Sequence, residues 1–254
     1  MKQRVLIILG PTASGKSALG VALAKKFNGE IISADSRQVY KGLDIGTGKI
    51  TKREMQGVAH HLLDVASSKK NFSANDFVEL GRIAIQDCVG RGKLPIIVGG
   101  TGFYIDSLVG RIVLPDVPPD LKLRARLENK SAKQLFALLA RRDPRRAKTI
   151  EPNNKRRIIR ALEIAAALGT VPAIKDRPLY NVLWIGIAPP DAVLRKNITI
   201  RLFARLRQGF GGQARTPGGM IGEARRLRAA GLTYKRMNEL GLEYRSLARH
   251  LQNK

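Results

Sequence analysis

The chain is short of acid, of sulfur and of aromatic rings. Only 20 aspartates and glutamates stand against 46 lysines and arginines, which leaves a formal charge of +26. Such an excess favours a polyanionic partner, because each nucleic-acid phosphate that is neutralised releases a counterion. A solvated basic surface is the plainer alternative. The single cysteine, Cys88, excludes an internal disulfide framework and suits a reducing, cytoplasmic setting. Aromatic content of 5% argues against RNA modules that stack bases on aromatic platforms. No apolar run approaches the ~18 residues needed to cross a bilayer, so no membrane partner is expected. "VLIILG" is too short for a secretory core and runs into a glycine loop. What remains is 254 residues, 44% hydrophobic and 26% charged, enough to bury a sizeable globular core.

The charge is unevenly spread. Residues 1–110 carry 15 basic and 9 acidic side chains, residues 141–160 carry 9 and 2, and residues 195–254 carry 14 and 3. Nucleic acid is therefore expected at the second half of the chain. Along the chain, "RVLIIL" (4–9), "EIISAD" (30–35) and "LPIIVGG" (94–100) read as strands. "SALGVALAKKF" (17–27) and "SANDFVELGRIAIQDCVGRG" (73–92) read as helices, the second capped by Ser73. Strands alternating with helices predict a parallel α/β sheet with functional groups at the carboxyl ends of its strands. "LPDVPPD" (114–120) breaks this pattern with three prolines, and helical, basic text follows to about residue 178. The expected organisation is a core over 1–114, a helical insertion over 115–180, and a return to the core over 181–254 through "VLWIGIAPP". A glycine-rich insert at 210–219 interrupts the final helices. Trp184, within the returning strand, is expected to be buried.

"GPTASGKS" (10–17) fits G-x-x-x-x-G-K-[ST] between a strand and a helix. Gly10, Pro11, Thr12, Ala13, Ser14 and Gly15 form a loop whose N–H groups face phosphate oxygens at a helix N-terminus. Lys16 adds a mobile positive charge, and the Ser17 hydroxyl is placed to ligate Mg²⁺. The loop specifies a pyrophosphate-like group without specifying ATP. Asp35, at the end of the second strand, is a candidate general base or outer Mg²⁺ ligand, with an Asx turn or helix cap as the structural alternative. The strand ending at Gly99-Gly100-Thr101 lacks the acid that commonly holds Mg²⁺ in motor and switch nucleotidases. It puts a hydroxyl, Thr101, at the cleft, unless it is simply a tight strand-to-helix turn. His60 and His61 have no further ligands at metal spacing in the sequence and are expected to serve in a turn or in packing. Cys88 is expected in the core.

Together "GPTASGKS", "ISADSRQVYKGLDIGTGK", "HHLLDV", "IIVGGTGFY" and "NNKRRIIRALEI" resemble the bacterial tRNA dimethylallyltransferase family, also called tRNA isopentenyltransferases. The resemblance runs in order from residue 3 to about residue 250. It implies a P-loop-like parallel sheet with a small all-helical insertion. The implied reaction moves the dimethylallyl group from its pyrophosphate to the exocyclic N6 amine of the adenosine 3′-adjacent to the anticodon, with Mg²⁺ required and pyrophosphate released. Asp35 then matches the general base, Lys16 and the loop bind the pyrophosphate, and Thr101 matches a threonine that places the reacting nucleotide. Asp35, Ser36, Arg37 and Gln38 match the segment that holds the target base. Arg124 and the run Arg156, Arg157, Ile158, Ile159 and Arg160 match positions contacting the anticodon stem-loop, with Arg156 standing where the family commonly has Gln. The implied partners are tRNA and dimethylallyl pyrophosphate, and nothing calls for more than a monomer.

Two features depart from the family pattern: the insert at 210–219, and an end at "EYRSLARHLQNK" where family members continue through a further basic helical region. Three other functions compete with this one. A small P-loop kinase of nucleosides or metabolites is disfavoured by the Gly-Gly-Thr strand end and the surplus charge. A prenyltransferase for free adenine nucleotides is disfavoured by the basic insertion. A non-catalytic RNA-binding relative would keep the fold without turnover.

Overall fold

The structure, a computed structural model, describes residues 2–172, 177–207 and 218–253. The chain forms two compact units, one from Met1–Ile112 with Arg177–Lys254 and a second from Val113–Asp176. The first unit opens with β1 (Arg4–Leu9), α1 (Lys16–Lys26), β2 (Gly29–Ala34), α2 (Lys52–Met55), β3 (His60–His61), α3 (Ala74–Gly90), β4 (Leu94–Gly99) and α4 (Gly102–Leu108). The second unit holds α5 (Leu121–Glu128), α6 (Ala132–Arg142), α7 (Pro144–Ala147) and α8 (Lys155–Leu168). The first unit then resumes with β5 (Asn181–Gly186), α9 (Asp191–Arg207), α10 (Gly219–Ala229), α11 (Tyr234–Leu240) and α12 (Leu242–His250). Residues 208–217, which hold most of the glycine-rich insert, lie outside the described residues. Among the described residues no helix is long and apolar enough to cross a membrane.

All strand pairs are parallel, in the order β3-β2-β4-β1-β5. This is the α/β class that the alternation of strands and helices predicts. Parallel strands need helical crossovers, which cover both faces and make the strands apolar throughout. The period of two then sorts the side chains. Val5, Ile7, Ile32 and Ile97 join Phe77, Ile85 and Leu108 of α3 and α4 in one core. Leu6, Ile8, Ile31 and Ile96 pack with Val21 and Ala24 of α1 in another. Ser73 caps α3 through a capping box, with its Oγ accepting from Asp76 N at 3.2 Å and its own N donating to Asp76 Oδ2 at 2.7 Å.

At the sheet edge the expectation for Trp184 is corrected. β5 pairs with β1, and Leu183 and Trp184 keep 65% and 38% of their surface exposed. The Arg111 guanidinium lies 5.2 Å from the Trp184 ring centroid, a cation–π contact that suits a half-exposed ring. A third apolar cluster joins α10, α11 and α12, through Met220, Leu227, Met237 and Tyr244, to Val39, Leu43 and Ile45 in the segment after β2.

In the helical unit, Asp120, Ser131, Asp143 and Asn154 each accept a backbone N–H at a helix start. Leu127, Leu135, Leu139, Ile158, Leu162 and Ala165 fill its core. Glu163 is sealed at 2% exposure among them. Its carboxylate accepts from Arg124 Nε at 2.6 Å and Nη2 at 2.7 Å, from Arg160 Nη1 at 3.1 Å, and from Asp120 N at 2.9 Å. Burial alone raises a carboxyl pKa, but these donors hold that of Glu163 below its ordinary value. Glu163→Ala should therefore destabilise this unit by roughly 2–3 kcal/mol, less than a fully buried pair would lose because both arginines reach water. Urea unfolding followed by hydrogen exchange in 113–172 would measure it, and a loss below about 0.5 kcal/mol would contradict the anchoring role.

Candidate active site

The site gathers at the carboxyl ends of β1, β2 and β4, which are neighbours in the sheet. After β1 the chain turns through Gly10–Gly15 and enters α1 at Lys16. Gly15 caps α1 at φ 91°, a left-handed conformation that glycine takes without steric cost, and a Cβ there would meet nothing within 4 Å. The loop is drawn tight by Ser14 N donating to Pro11 O at 3.3 Å and Lys16 Nζ donating to Pro11 O at 3.0 Å. Asn197 of α9 braces it from outside, donating to Ala13 O at 3.3 Å. Ser14 Oγ is buried with no hydrogen-bond partner. An unsatisfied buried hydroxyl within an open loop at a helix N-terminus is the signature of a phosphate cradle. The donor set therefore fits a diphosphate with its cation, and Ser17, exposed in the first turn of α1, is the hydroxyl that would hold that cation. Burial lowers the Lys16 pKa, Asp35 raises it, and Arg201 lowers it again, so all three charged groups share one field.

Asp35 follows β2 directly. Its Oδ1 accepts from Arg37 N at 2.8 Å and Gln38 N at 3.3 Å, so the Asx turn is real. The turn engages one carboxylate oxygen and fixes the direction of the other. Thr101 stands at the end of β4, where its Oγ1 accepts from Ser36 N at 3.1 Å and its N donates to Ala34 O at 3.2 Å. A Cβ on Gly99 would come within 2.1 Å of Ala34 O, so only glycine allows β4 to end this close to β2. The strand-to-helix turn and the hydroxyl at the cleft are therefore the same feature.

A cavity beside Asp35 is lined by Thr12, Ala13, Asp35 and Arg37 on one side and by Gly46, Thr47, Arg201 and Arg205 on another. Arg37 Nε is buried there without a partner. The wall at Gly46 and Thr47 is held by side chains from far along the chain. Glu223 on α10, fully buried, accepts from the backbone N of Asp44 at 3.0 Å, Ile45 at 2.7 Å and Gly46 at 2.9 Å. Tyr244 Oη completes the carboxylate at 2.6 Å, and burial beside this anion drives the phenol pKa well up. Arg205 Nη1 donates to Gly46 O at 2.9 Å, and its Nη2 donates to Glu243 at 3.0 Å. Lys49 Nζ closes the segment on Tyr40 O at 2.9 Å and Asp44 Oδ1 at 2.8 Å.

Of the residues expected from the sequence, the loop, Lys16, Ser17, Asp35, Ser36, Arg37 and Thr101 come together in this unit, while Gln38 reaches back to Gly48 O at 3.4 Å. In the helical unit, Arg156 and Arg157 are exposed at the start of α8. Ile158 and Ile159 turn their side chains into that unit's core, because four apolar positions per two turns must face Leu135 and Leu139. They are thus corrected from RNA-contacting side chains to packing residues. Arg124 and Arg160 have part of their donor capacity committed to Glu163. Arg201, Arg205 and Glu223 were not singled out from the sequence. The available signal was Glu223 itself, one of only three acids in the last 60 residues. Glu223→Ala, which orphans three amides and a phenol, should cost about 3–5 kcal/mol in chemical unfolding. Glu223→Gln, which still accepts hydrogen bonds, should cost clearly less.

The IPP transferase family model matches residues 38–254. The chain is 44% identical over 248 residues to tRNA dimethylallyltransferase 2 of Citrifermentans bemidjiense, covering 98% of this chain and 77% of the relative. It is 43% identical to the tRNA dimethylallyltransferase of Bacillus subtilis, covering 82% of this chain and 69% of the relative. Among solved structures, the tRNA isopentenylpyrophosphate transferase of Bacillus halodurans superposes with a TM-score of 0.68 at 36% identity, over 100% of this chain and 78% of that one. The phosphate loop and Asp35 precede the matched stretch but lie within the structural superposition. With its parallel sheet, its cradle and these likenesses in agreement, the chain belongs to the IPP transferase family.

Proposed function

We propose that this chain transfers a dimethylallyl group from dimethylallyl pyrophosphate to the N6 amine of the adenosine 3′-adjacent to the anticodon of tRNA, as a cytoplasmic monomer using Mg²⁺. The observation that carries this is the meeting of a phosphate cradle with a carboxylate, Asp35, and a hydroxyl, Thr101, on adjacent strand ends. A kinase could also pair a cradle with a carboxylate, but the Gly-Gly-Thr end of β4 and the +26 charge favour the transfer to tRNA.

In the reaction the adenine amine attacks C1 of the dimethylallyl group, the C–O bond to pyrophosphate breaks, and the amine proton passes to Asp35. An adenine amine is a weak nucleophile, so removing its proton as the C–N bond forms is where a base contributes. The Asx turn engages Oδ1 and Asp35 lines the cavity, which supports Oδ2 as the proton acceptor. Thr101, fixed by Ser36 N, places the nucleotide, which leaves its stack in the anticodon loop to reach the cleft. Loop amides and Lys16 stabilise the charge gathering on the departing pyrophosphate. Mg²⁺ held at Ser17 would supply further charge neutralisation there. Exposed Arg156 and Arg157 bind stem-loop phosphates.

Labelled dimethylallyl pyrophosphate, Mg²⁺ and unmodified tRNA reading codons that begin with U provide the direct test. Label in tRNA is expected; phosphate transfer from ATP with no prenylation would replace this function by a kinase. Asp35→Asn keeps a turn acceptor but lacks the base, and should lower kcat by about 10²–10⁴-fold while tRNA binding persists. An active Asp35→Asn enzyme would end the general-base role. Replacing both Arg156 and Arg157 by Ala should lower the slope of log affinity against log salt by about 2, roughly one per phosphate contact.

A further inference from the structure

At the opposite end of β2 from Asp35, a second cluster of reactive side chains has no part in this chemistry. Glu30 comes from β2, His61 from the neighbouring β3, and Cys88 from α3, which covers that face of the sheet. His61 Nε2 lies 2.7 Å from Glu30 Oε2, and Cys88 Sγ lies 3.7 Å from that oxygen and 3.6 Å from the same nitrogen. Glu30 and Cys88 are buried, and His61 is half-buried.

We propose that Glu30, His61 and Cys88 form a binding site for a borderline-soft divalent transition-metal ion of the Zn²⁺ type. One thiolate, one imidazole and one carboxylate is a donor set that such ions favour and that Mg²⁺ does not. With Zn–S near 2.3 Å and Zn–N or Zn–O near 2.0–2.1 Å, a tetrahedral site has S···N and S···O edges of about 3.5 Å and an N···O edge of about 3.3 Å. The two sulfur edges found here, 3.6 and 3.7 Å, are within a few tenths of an ångström of that geometry. Only the 2.7 Å N···O edge must open, and it is a hydrogen bond that a metal would replace.

The charges lead the same way. Arg91 donates to both Glu30 oxygens, at 2.7 Å to Oε2, and also to Asp87 Oδ2 at 2.6 Å. Two carboxylates thus share one guanidinium, so Glu30, Asp87 and Arg91 together carry one surplus negative charge. A divalent ion bound by the Cys88 thiolate brings the total to zero, the thiol proton leaving for solvent. Arg91 and Asp87 would then serve as the outer layer that orients the Glu30 carboxylate. The half-buried edge of His61 leaves the fourth position to water.

The proposal is tested on the full chain stripped with EDTA and titrated with Co²⁺, followed by competition with Zn²⁺. One equivalent of Co²⁺ should give a sulfur-to-metal charge-transfer band, displaced by Zn²⁺ and untouched by excess Mg²⁺. Cys88→Ser should abolish the band and weaken Zn²⁺ binding by more than ~100-fold, beyond the loss expected for removing an outer partner. His61→Gln, at a half-exposed position, should weaken it with the fold retained, and Asp35→Ala should leave the band intact. No band in the wild-type chain, displacement by Mg²⁺, or unchanged binding in Cys88→Ser would overturn the site. The cluster would then be an ion-pair lock between β2 and α3.

Discussion

A carboxylate sealed from water, Glu223, fixes one wall of the cleft. Its three backbone amides belong to Asp44, Ile45 and Gly46, nearly 180 residues earlier in the chain, and Glu223 has no exposed surface. A buried anion must satisfy its lone pairs or forfeit several kcal/mol. The segment 44–46 is therefore bound to α10, and Tyr244 binds α12 to both. Arg205 takes the carbonyl of Gly46 whose amide Glu223 takes, so one peptide strand is gripped on both its donor and acceptor sides. The cradle, Asp35 and Thr101 occupy the sheet ends, but the cavity that Thr12, Ala13 and Asp35 share with Gly46 and Thr47 keeps its shape because this grip holds those two residues in place.

The same economy governs the other acids. Four of the scarce carboxylates, Glu30, Asp143, Glu163 and Glu223, are buried, and each organises donors around itself. Glu30 takes Arg91, Glu163 takes Arg124 and Arg160, and Asp143 takes the amides of Arg146 and Val171. A protein with 46 basic residues and 20 acidic ones cannot neutralise its surface pair by pair. By placing acids inside as anchors it leaves much of the positive charge at the surface, where it attracts a polyanion. The low acid count is thus as much a structural as an electrostatic property.

This also explains how much could be read from the sequence. The phosphate loop, the three apolar strands and the Ser73 cap depend on neighbours within a few residues, and local spacing states them directly. β3 does not: two histidines have no periodicity, and they become a strand only because Ile31 and Ile32 offer parallel partners. Glu223 looks like one more helix-surface acid until residue 44 is brought to it. Trp184 sits in an apolar run that suggests burial, but a strand's burial is decided by what lies beyond the sheet edge. Within "RRIIR" the contrast between exposed Arg156 and buried Ile158 follows from helical period, which separates surface residues from packing residues inside one motif. His60 and His61 showed no metal spacing because two of the three possible ligands, Glu30 and Cys88, lie 31 and 27 residues from His61.

The strand end that lacks an acid becomes intelligible at this level. In a nucleotidase β4 would end in Asp beside the phosphate loop, and that side chain would serve the metal. Here Gly99 brings β4 against Ala34 so closely that a Cβ is forbidden, and Thr101 uses both its N–H and its hydroxyl to bind the turn after β2. The acid has moved one strand over, to Asp35, where the same turn holds one of its oxygens. A carboxylate at β4 would stand directly beside the phosphate loop; at the end of β2, next to a turn that Thr101 binds through Ser36 N and Ala34 O, it stands one strand further from that loop. Sheet order sets this spacing, because β4 lies between β1 and β2 and so places one strand between the phosphate loop and Asp35. The proposed transfer uses this division, with positive charge on the leaving-group side of the reacting carbon and a proton acceptor on the other.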